Sequence, residues 1–298
     1  VPELPEVETV VREIRPELVG RRFAAVRVGA CPLRRRWAPE WEPLLVGRRI
    51  REVRRRGKWI VVHLGAQRSL VIHLGMSGQL TVVPAEHPLP KHTHIVLELD
   101  RGGKELRFRD IRRFGSATVF AGAGLLEQFF TETRLGPEPF DLDPAYWQCC
   151  VQKTGRCLKA LLLDQRAVAG VGNIYADESL FTARLHPARL GRDTSAAEAE
   201  RLRRAIVKVL RRAIERRGSS IRNYVGGSGL RGSYQKEFRV YGRTGEPCPR
   251  CRTPIRCIRL AGRSTHFCPR CQPRVRGEGR KKITHHSPLT THRSPTPA

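Results

Sequence analysis

The sequence predicts an α+β protein: a β-sandwich flanked by a helix at its amino terminus, then a helical region, then a small β-hairpin closed by a metal. Three observations predict it. Eight short alternating or β-branched runs, broken by Gly and Pro, occupy residues 22 to 120, which is the spacing of a sandwich. Beyond Ala121-Gly122-Ala123-Gly124 the apolar residues recur at helical spacing. Two Cys-x-x-Cys pairs follow near the carboxyl end, Cys248 with Cys251 and Cys268 with Cys271. A chain of 298 residues is long enough for two cores. The expected division is 1–121 for the sandwich, 122–236 for the helical region, 237–272 for the hairpin and 273–298 for a basic tail.

The chain opens Val1-Pro2-Glu3-Leu4-Pro5-Glu6-Val7-Glu8. A Val in first position is what a non-standard start codon looks like when translated literally. Initiation there installs Met, which is readily clipped before Pro, so the mature chain is expected to begin at Pro2. Its secondary amine would titrate near neutral pH and could condense with a sugar aldehyde carbon to give an iminium. On these residues alone, prolines that merely start a helix are the plainer reading. That helix takes residues 5 to 18, where Val7, Val10, Val11, Ile14 and Leu18 share a face and Gly20 follows.

The strand runs lie at about 22–31, 48–56, 59–64, 69–74, 79–83, 93–99, 104–109 and 116–120. Among the helices, 196–217 is the clearest. Ser195 and Glu198 have capping-box spacing, Leu202, Ala205, Ile206, Val209, Leu210 and Ala213 form an apolar stripe, and Gly218 stops the helix. Its other face carries Arg203, Arg204, Lys208, Arg211 and Arg212 and reads as solvated. Residues 219–232, rich in Gly and Ser with Asn223 and Tyr224, predict a functional loop that can close over a ligand. The stretch 274–298 has hardly any apolar residues, and disorder is expected there.

The Cys pairs are separated by 16 residues, the spacing of a tetrahedral zinc site in which two knuckles close a hairpin. A hairpin over about 254–267 is too small for a core, so the metal must supply its folding energy. Four thiolates leave no open position for water, which makes one structural Zn2+ the expected cofactor. Cys257 is expected to be a buried small residue, not a ligand. Arg263 would stand at the hairpin tip, where it could clamp a phosphate.

Charge narrows the partner. The chain has 56 Lys+Arg against 28 Asp+Glu, a net +28, and removing Arg274 onward, six Lys/Arg and one Glu, leaves +23. The body itself is basic, and a polyanion such as nucleic acid is the leading partner, ahead of a membrane surface or a ribosome-like role. No run of eighteen apolar residues exists and the amino terminus lacks a signal-peptide plan, so a soluble cytosolic chain is expected.

Several motifs occur in one order: Pro2-Glu3-Leu4-Pro5-Glu6-Val7-Glu8, the lysine of Gly57-Lys58-Trp59, His73-Leu74-Gly75-Met76-Ser77-Gly78, Lys91-His92-Thr93-His94, Asp110-Ile111-Arg112-Arg113-Phe114-Gly115, Gly170-Val171-Gly172-Asn173-Ile174-Tyr175-Ala176 and the zinc hairpin. Together, over about residues 2–272, they closely resemble the formamidopyrimidine-DNA glycosylase family, bacterial enzymes that excise 8-oxoguanine and ring-opened purines. The related endonuclease VIII family shares the fold and prefers oxidised pyrimidines, and Leu4-Pro5 looks like the purine-lesion branch.

The resemblance implies roles residue by residue. Pro2 would attack the anomeric carbon and Glu3 would move protons at the sugar. Lys58 would assist β-elimination, and Arg263 would serve δ-elimination, as a phosphate clamp in preference to a proton donor because a guanidinium hardly ionises. Met76, Arg112 and Phe114 match the wedge that fills the stack when a lesion flips out, with Arg112 facing the orphaned base. The segment 158–164 and the Gly170-Val171-Gly172-Asn173 helix start resemble a helix-two-turn-helix element, an anion site with Asn173 as cap or phosphate donor. His92, Arg113, Arg156 and Lys159 are further phosphate candidates, and loop 219–232 with Tyr241 corresponds to the lid over the flipped base.

The implied partner is double-stranded DNA containing oxidised purines or abasic sites, bound by a monomeric chain in a bacterial cytoplasm. Three departures stand out: Val1 replaces Met, Ile111 replaces a common Pro, and the tail is longer than the family needs. A glycosylase for oxidised pyrimidines or abasic sites, and a damage-binding protein without catalysis, are the alternatives.

Overall fold

The computed structural model describes residues 2–219, Gly227 and 232–274. The expected loop at 219–232, apart from Ser219, Gly227 and Gly232, and the expected disordered tail beyond Arg274 lie outside the described residues.

Helix α1 (Leu4–Leu18) buries the apolar face its spacing demands, with Leu4, Val7, Val10, Val11, Ile14 and Leu18 fully covered. Full burial of each such side chain contributes about 1.5–3 kcal/mol. Eight strands follow: β1 (Phe23–Val28), β2 (Ile50–Arg56), β3 (Trp59–Leu64), β4 (Arg68–His73), β5 (Gly78–Pro84), β6 (Thr93–Leu99), β7 (Lys104–Asp110) and β8 (Ser116–Ala121). Every run read from the sequence is a strand. They pair antiparallel into two four-stranded sheets, β1-β6-β7-β5 and β2-β3-β4-β8. Phe23, Ile50, Ile60, Leu70, Leu97 and Phe108 belong to the core between them, which α1 joins through Val7, Val10, Val11, Ile14 and Leu18.

A short α2 (Glu42–Leu45) interrupts the strands, and α3 (Leu125–Glu132) covers the outer face of the second sheet through Leu126 and Phe130 against Val61 and Val71. The second core is built from α4 (Pro144–Gln152), α5 (Leu158–Leu163), α6 (Asn173–Ala183) and α7 (Ala196–Glu215). Helix α7 carries the expected capping box, with Ser195 N donating to Glu198 Oε2 at 2.9 Å and Glu198 N to Ser195 Oγ at 3.3 Å. Leu4, the first residue of α1, belongs to this second core, and α1 also packs against β2, β5 and α7. The amino terminus is thereby held at the seam between the two cores.

Strands β9 (Arg256–Leu260) and β10 (Arg263–Phe267) form the final hairpin. Its two-residue turn, Ala261 (φ 48°) and Gly262 (φ 71°), has both residues in the left-handed region, as a tight antiparallel hairpin requires. No helix among the described residues is long and apolar enough to cross a membrane.

Candidate active site

Pro2 and Glu3 are buried at the head of α1. Glu3 donates its backbone N–H to Glu6 Oε2 at 2.9 Å, closing the first turn. Its carboxylate reaches the start of α6, where Oε1 accepts from Ile174 N at 3.0 Å and Oε2 from Tyr175 N at 3.4 Å. Unpaired amides at a helix start attract an anion. Here two of them take the chain's own carboxylate as that anion.

Two glycines permit the approach. A Cβ on Gly172 would lie 2.3 Å from Glu3 Cδ, and one on Gly170 (φ +85°) would lie 2.6 Å from Leu4 Cδ1. Gln165 fixes the turn, accepting from Gly170 N at 2.9 Å and donating to Val171 O at 2.8 Å. Asn173 heads α6 without capping it, and its Nδ2 donates to Ser264 O at 3.0 Å, tying the helix to β10.

Glu6 is a site residue whose role was not read from the sequence. Fully buried, it accepts from Tyr175 Oη at 2.5 Å, Ser219 N at 2.7 Å and Ser219 Oγ at 3.0 Å. Burial, then the neighbouring Glu3 charge, raises its pKa above the ordinary carboxylate value. The only sequence signal was the Glu3-x-x-Glu6 spacing, which reads equally well as a helix start.

Lys58 sits in the two-residue turn between β2 and β3 beside Gly57, whose φ of +56° the tight turn requires. Glu138 anchors that turn from the second core, accepting from Gly57 N at 2.6 Å and pairing with Arg55 at 2.7 Å and Arg56 at 3.1 Å. Desolvation lowers the Lys58 pKa, the Glu3 and Glu6 charges oppose it, and Arg263 adds to the lowering. Arg263, the first residue of β10, faces the same space. Pro2, Glu3, Lys58 and Arg263 line one cavity of about 510 Å³, together with Glu6, Met76, Asn173, Ser219 and Tyr241. The catalytic candidates thus converge on one chamber from three segments far apart in sequence, at Pro2-Glu3, Lys58 and Arg263.

Met76 lies in the β4–β5 connection and Arg112 and Phe114 in the β7–β8 connection. Asp110, with no exposure, holds both loops: Oδ1 accepts from Ser77 Oγ at 2.5 Å and Arg112 N at 3.2 Å, and Oδ2 from Gly115 N at 2.7 Å. Gly75 (φ +62°) packs so tightly that a Cβ would lie 2.4 Å from the Phe114 carbonyl carbon. Arg112 stacks over the exposed Phe114 ring at 4.7 Å. Asp110→Ala leaves Ser77 Oγ and Gly115 N without their acceptor, while Arg112 N keeps Ser77 Oγ at 3.1 Å, and is expected to lower stability by about 2–4 kcal/mol. The loss is read as the drop in unfolding free energy of Asp110→Ala against the native chain in urea.

His73 supports the same loop, its Nδ1 accepting from Gly75 N at 3.0 Å. Burial, then Lys58 and Arg34, lower its pKa from the ordinary 6.5 to about 4. The unfolded chain therefore binds this proton first as pH falls. The stability held by neutral His73 is complete above pH 6.5 and is lost progressively toward pH 4, by at most about 3 kcal/mol. Melting temperatures across that window should fall in the native chain and fall less in His73→Gln.

The remaining phosphate candidates divide. His92 (φ +68°) and Arg113 (φ +56°) are exposed on the connections that lead into β6 and out of β7, respectively, and Arg156 pairs with Asp164 at 2.9 Å while staying largely exposed. Lys159 is corrected: its side chain has 0% exposure, and Nζ donates to Asp177 Oδ1 at 2.5 Å and Asn173 O at 3.0 Å. It cannot reach a phosphate from there. Asp177 Oδ2 in turn accepts from His266 N at 2.8 Å and pairs with His266 Nδ1 at 3.1 Å, so a buried relay from α5 through α6 holds β10 and Arg263. Tyr241 is placed by buried Glu178, which accepts from the backbone N–H groups of Arg239, Val240 and Tyr241 at 2.9–3.1 Å.

Cys248, Cys251, Cys268 and Cys271 bring their sulfur atoms within 4.8 Å of one another, and among the described residues no His, Asp or Glu joins the cluster. The donor set and its closeness fit one tetrahedral structural zinc. Cys257 stands apart on β9, half-buried.

Three family models match in order: the formamidopyrimidine-DNA glycosylase N-terminal domain over residues 1–117, its H2TH domain over 135–225, and the zinc finger found in FPG and IleRS over 245–274. The chain is 45% identical over 269 residues to a formamidopyrimidine-DNA glycosylase of Herpetosiphon aurantiacus, covering 88% of this chain and 96% of that one. It is 48% identical over 264 residues to one of Moorella thermoacetica, covering 87% and 95%. Among solved structures, Lactococcus lactis Fpg bound to DNA containing an abasic site superposes with a TM-score of 0.84 at 34% identity, covering 91% of this chain and all of that one. MutM bound to DNA containing carbocyclic 8-oxo-G gives 0.84 at 35% identity, with 92% and full coverage. By its identity to these relatives along nearly their whole length, the chain belongs to the formamidopyrimidine-DNA glycosylase family of DNA repair enzymes.

Proposed function

We propose that the protein removes oxidised purines from double-stranded DNA and then nicks the abasic strand, using Pro2 as its nucleophile. The observation that carries this reading is the shared chamber of Pro2, Glu3, Lys58 and Arg263. Once residue 1 is removed, the Pro2 nitrogen attacks C1′ and gives its N–H proton to the Glu3 carboxylate, the glycosidic bond breaks with its electron pair on the departing base, and cleavage of the C1′–O4′ bond opens the sugar ring to leave an iminium, with O4′ retained on C4′. Glu3, fixed by the α6 amides, passes a proton to that oxygen. The iminium acidifies C2′–H, and its removal expels the 3′ phosphate oxygen. A second elimination, through C4′, expels the 5′ phosphate.

Lys58, its pKa drawn down by burial, is the cation beside the first elimination. The Arg263 guanidinium steadies the phosphate as it leaves. Met76, Arg112 and Phe114, locked together by Asp110, fill the stack behind the flipped nucleotide. The zinc holds the hairpin that carries Arg263 and takes no part in bond making.

Support for purine lesions comes from relatives complexed with DNA containing carbocyclic 8-oxo-G or Fapy-dG, although one such relative is also complexed with DNA containing an oxidised pyrimidine. Single-turnover assays on duplexes carrying 8-oxoguanine, thymine glycol or an abasic site test the choice. Release of 8-oxoguanine opposite cytosine is expected to be at least about tenfold faster than release of thymine glycol. Faster thymine glycol release would move the chain to the pyrimidine branch. Tight abasic-site binding with no release or nicking would make it a damage-binding protein.

A further inference from the structure

The basic face of α7 borders a groove that the proposed chemistry does not use. The groove has a volume of about 1100 Å³ and runs between α7 and the segment 234–250, and none of its lining residues also lines the Pro2 chamber. The aromatic stack from Phe238 to Tyr241 separates the two, Phe238 lining the groove and Tyr241 the chamber.

Helical spacing puts Arg204, Val207, Lys208, Arg211 and Glu215 on the groove side of α7. Half-buried Phe140, Val207 and Phe238 supply apolar surface, and the rim is cationic. Some of these cations already have partners: Arg212 is paired with Glu215 and Glu237, and Arg203 and Arg204 with Glu200. Lys208, Arg211, Lys236, Arg239 and Arg250 are exposed and have no carboxylate within 4.0 Å among the described residues. Arg250 is nevertheless fixed, stacked over Phe181 at 4.3 Å and donating to Phe181 O at 2.9 Å. Unneutralised cations gathered along one concave wall favour an anionic occupant.

The shape selects among anions. The volume exceeds that of usual small-molecule pockets, about 300–1,000 Å³. A duplex presents phosphates on a convex cylinder and would leave the apolar floor uncovered. Single-stranded nucleic acid needs open aromatic faces for its bases, but Tyr234 is only 5% exposed and Phe238 is packed edge-on against both Tyr234 and Tyr241. The chain's own residues 275–298 carry five Lys/Arg and one Glu, so like charge turns them away.

We propose that the groove between α7 and residues 234–250 docks an acidic peptide segment of a partner protein, with its carboxylates on the Lys208, Arg211, Lys236 and Arg239 rim and an apolar side chain on the Val207 and Phe238 floor. The complex would leave the lesion chamber free.

Fluorescence anisotropy on the full-length, zinc-loaded protein tests this, with a fluorescein-labelled ten-residue peptide of Asp and Glu interspersed with Leu and Phe. The controls are an all-Glu peptide and a single-stranded ten-nucleotide DNA. The acidic-apolar probe should bind about tenfold more tightly than the all-Glu peptide, and a saturating abasic-site duplex should not displace it. Lys208→Glu with Arg211→Glu, and separately Val207→Asp, should each weaken it about tenfold, while nicking of an 8-oxoguanine duplex stays unchanged and certifies the fold. Equal binding by native protein and both variants, equal binding of the all-Glu peptide, or displacement by the duplex would overturn the proposal. So would a single-stranded DNA that binds as tightly as the peptide and suffers the same loss in the α7 variant, since that would make the groove a nucleic-acid site.

Discussion

Glu3→Gln is expected to lower release of 8-oxoguanine by about 10²–10⁴-fold while leaving affinity for an abasic-site duplex within about threefold. The amide matches the carboxyl in shape, and its oxygen can still accept from Ile174 N, which now lies 3.0 Å from Glu3 Oε1. Its nitrogen must then face Tyr175 N, now 3.4 Å from Oε2, and two donors meet. The cost of that meeting is about 1–2 kcal/mol of stability, far less than the kinetic loss. Single-turnover rates and equilibrium binding on the same preparation separate the two effects. Native release by Glu3→Gln would remove Glu3 from proton transfer.

Zinc removal, by a strong chelator or by Cys268→Ser, is expected to reduce nicking about 100-fold or more with little change in helix content. The hairpin has almost no core besides its metal: Phe181, Val240 and Ile255 pack with Cys248 and Cys268. A structural zinc supplies on the order of 10–16 kcal/mol of folding free energy in isolated fingers at pH 7. The sandwich core and the helical core draw no residue from the hairpin strands, so both should survive. What is lost is the geometry that sets Arg263 at the chamber, because Asn173 and Asp177 can hold Ser264 and His266 only in a folded hairpin. Circular dichroism and nicking, followed together through chelation and zinc return, read the separation. Full nicking by metal-free protein would contradict a structural requirement for zinc.

The strands were legible because alternation with period two, broken by Gly and Pro, leaves few other structures for β1 to β8. Helix α7 was legible through its cap and stripe, and the zinc cluster through its spacing. Helix α6 gave no comparable pattern: Asp177, Glu178 and Ser179 are as buried as Leu180 and Phe181, and a helix covered on all sides has no amphipathic stripe to read. Lys159 was misread for a related reason, since a lysine announces its charge but not the Asp177 carboxylate that buries it. The contact between Glu3 and α6, and the grip of Glu138 on the Lys58 turn, join residues 171 and 81 positions apart. No local pattern encodes such pairings. Gly170 and Gly172 were visible as a motif, but their reason, clearance for Leu4 and Glu3, needed the packing.

The most direct measurement is borohydride trapping of the full-length protein on an 8-oxoguanine:cytosine duplex, with the cross-linked peptide mapped by mass spectrometry. The expected result is a reduced adduct on the nitrogen of an amino-terminal Pro2. A chain confirmed to begin at Pro2 that binds the duplex yet gives no adduct, or an adduct on Lys58 instead, would contradict the assignment of Pro2 as nucleophile.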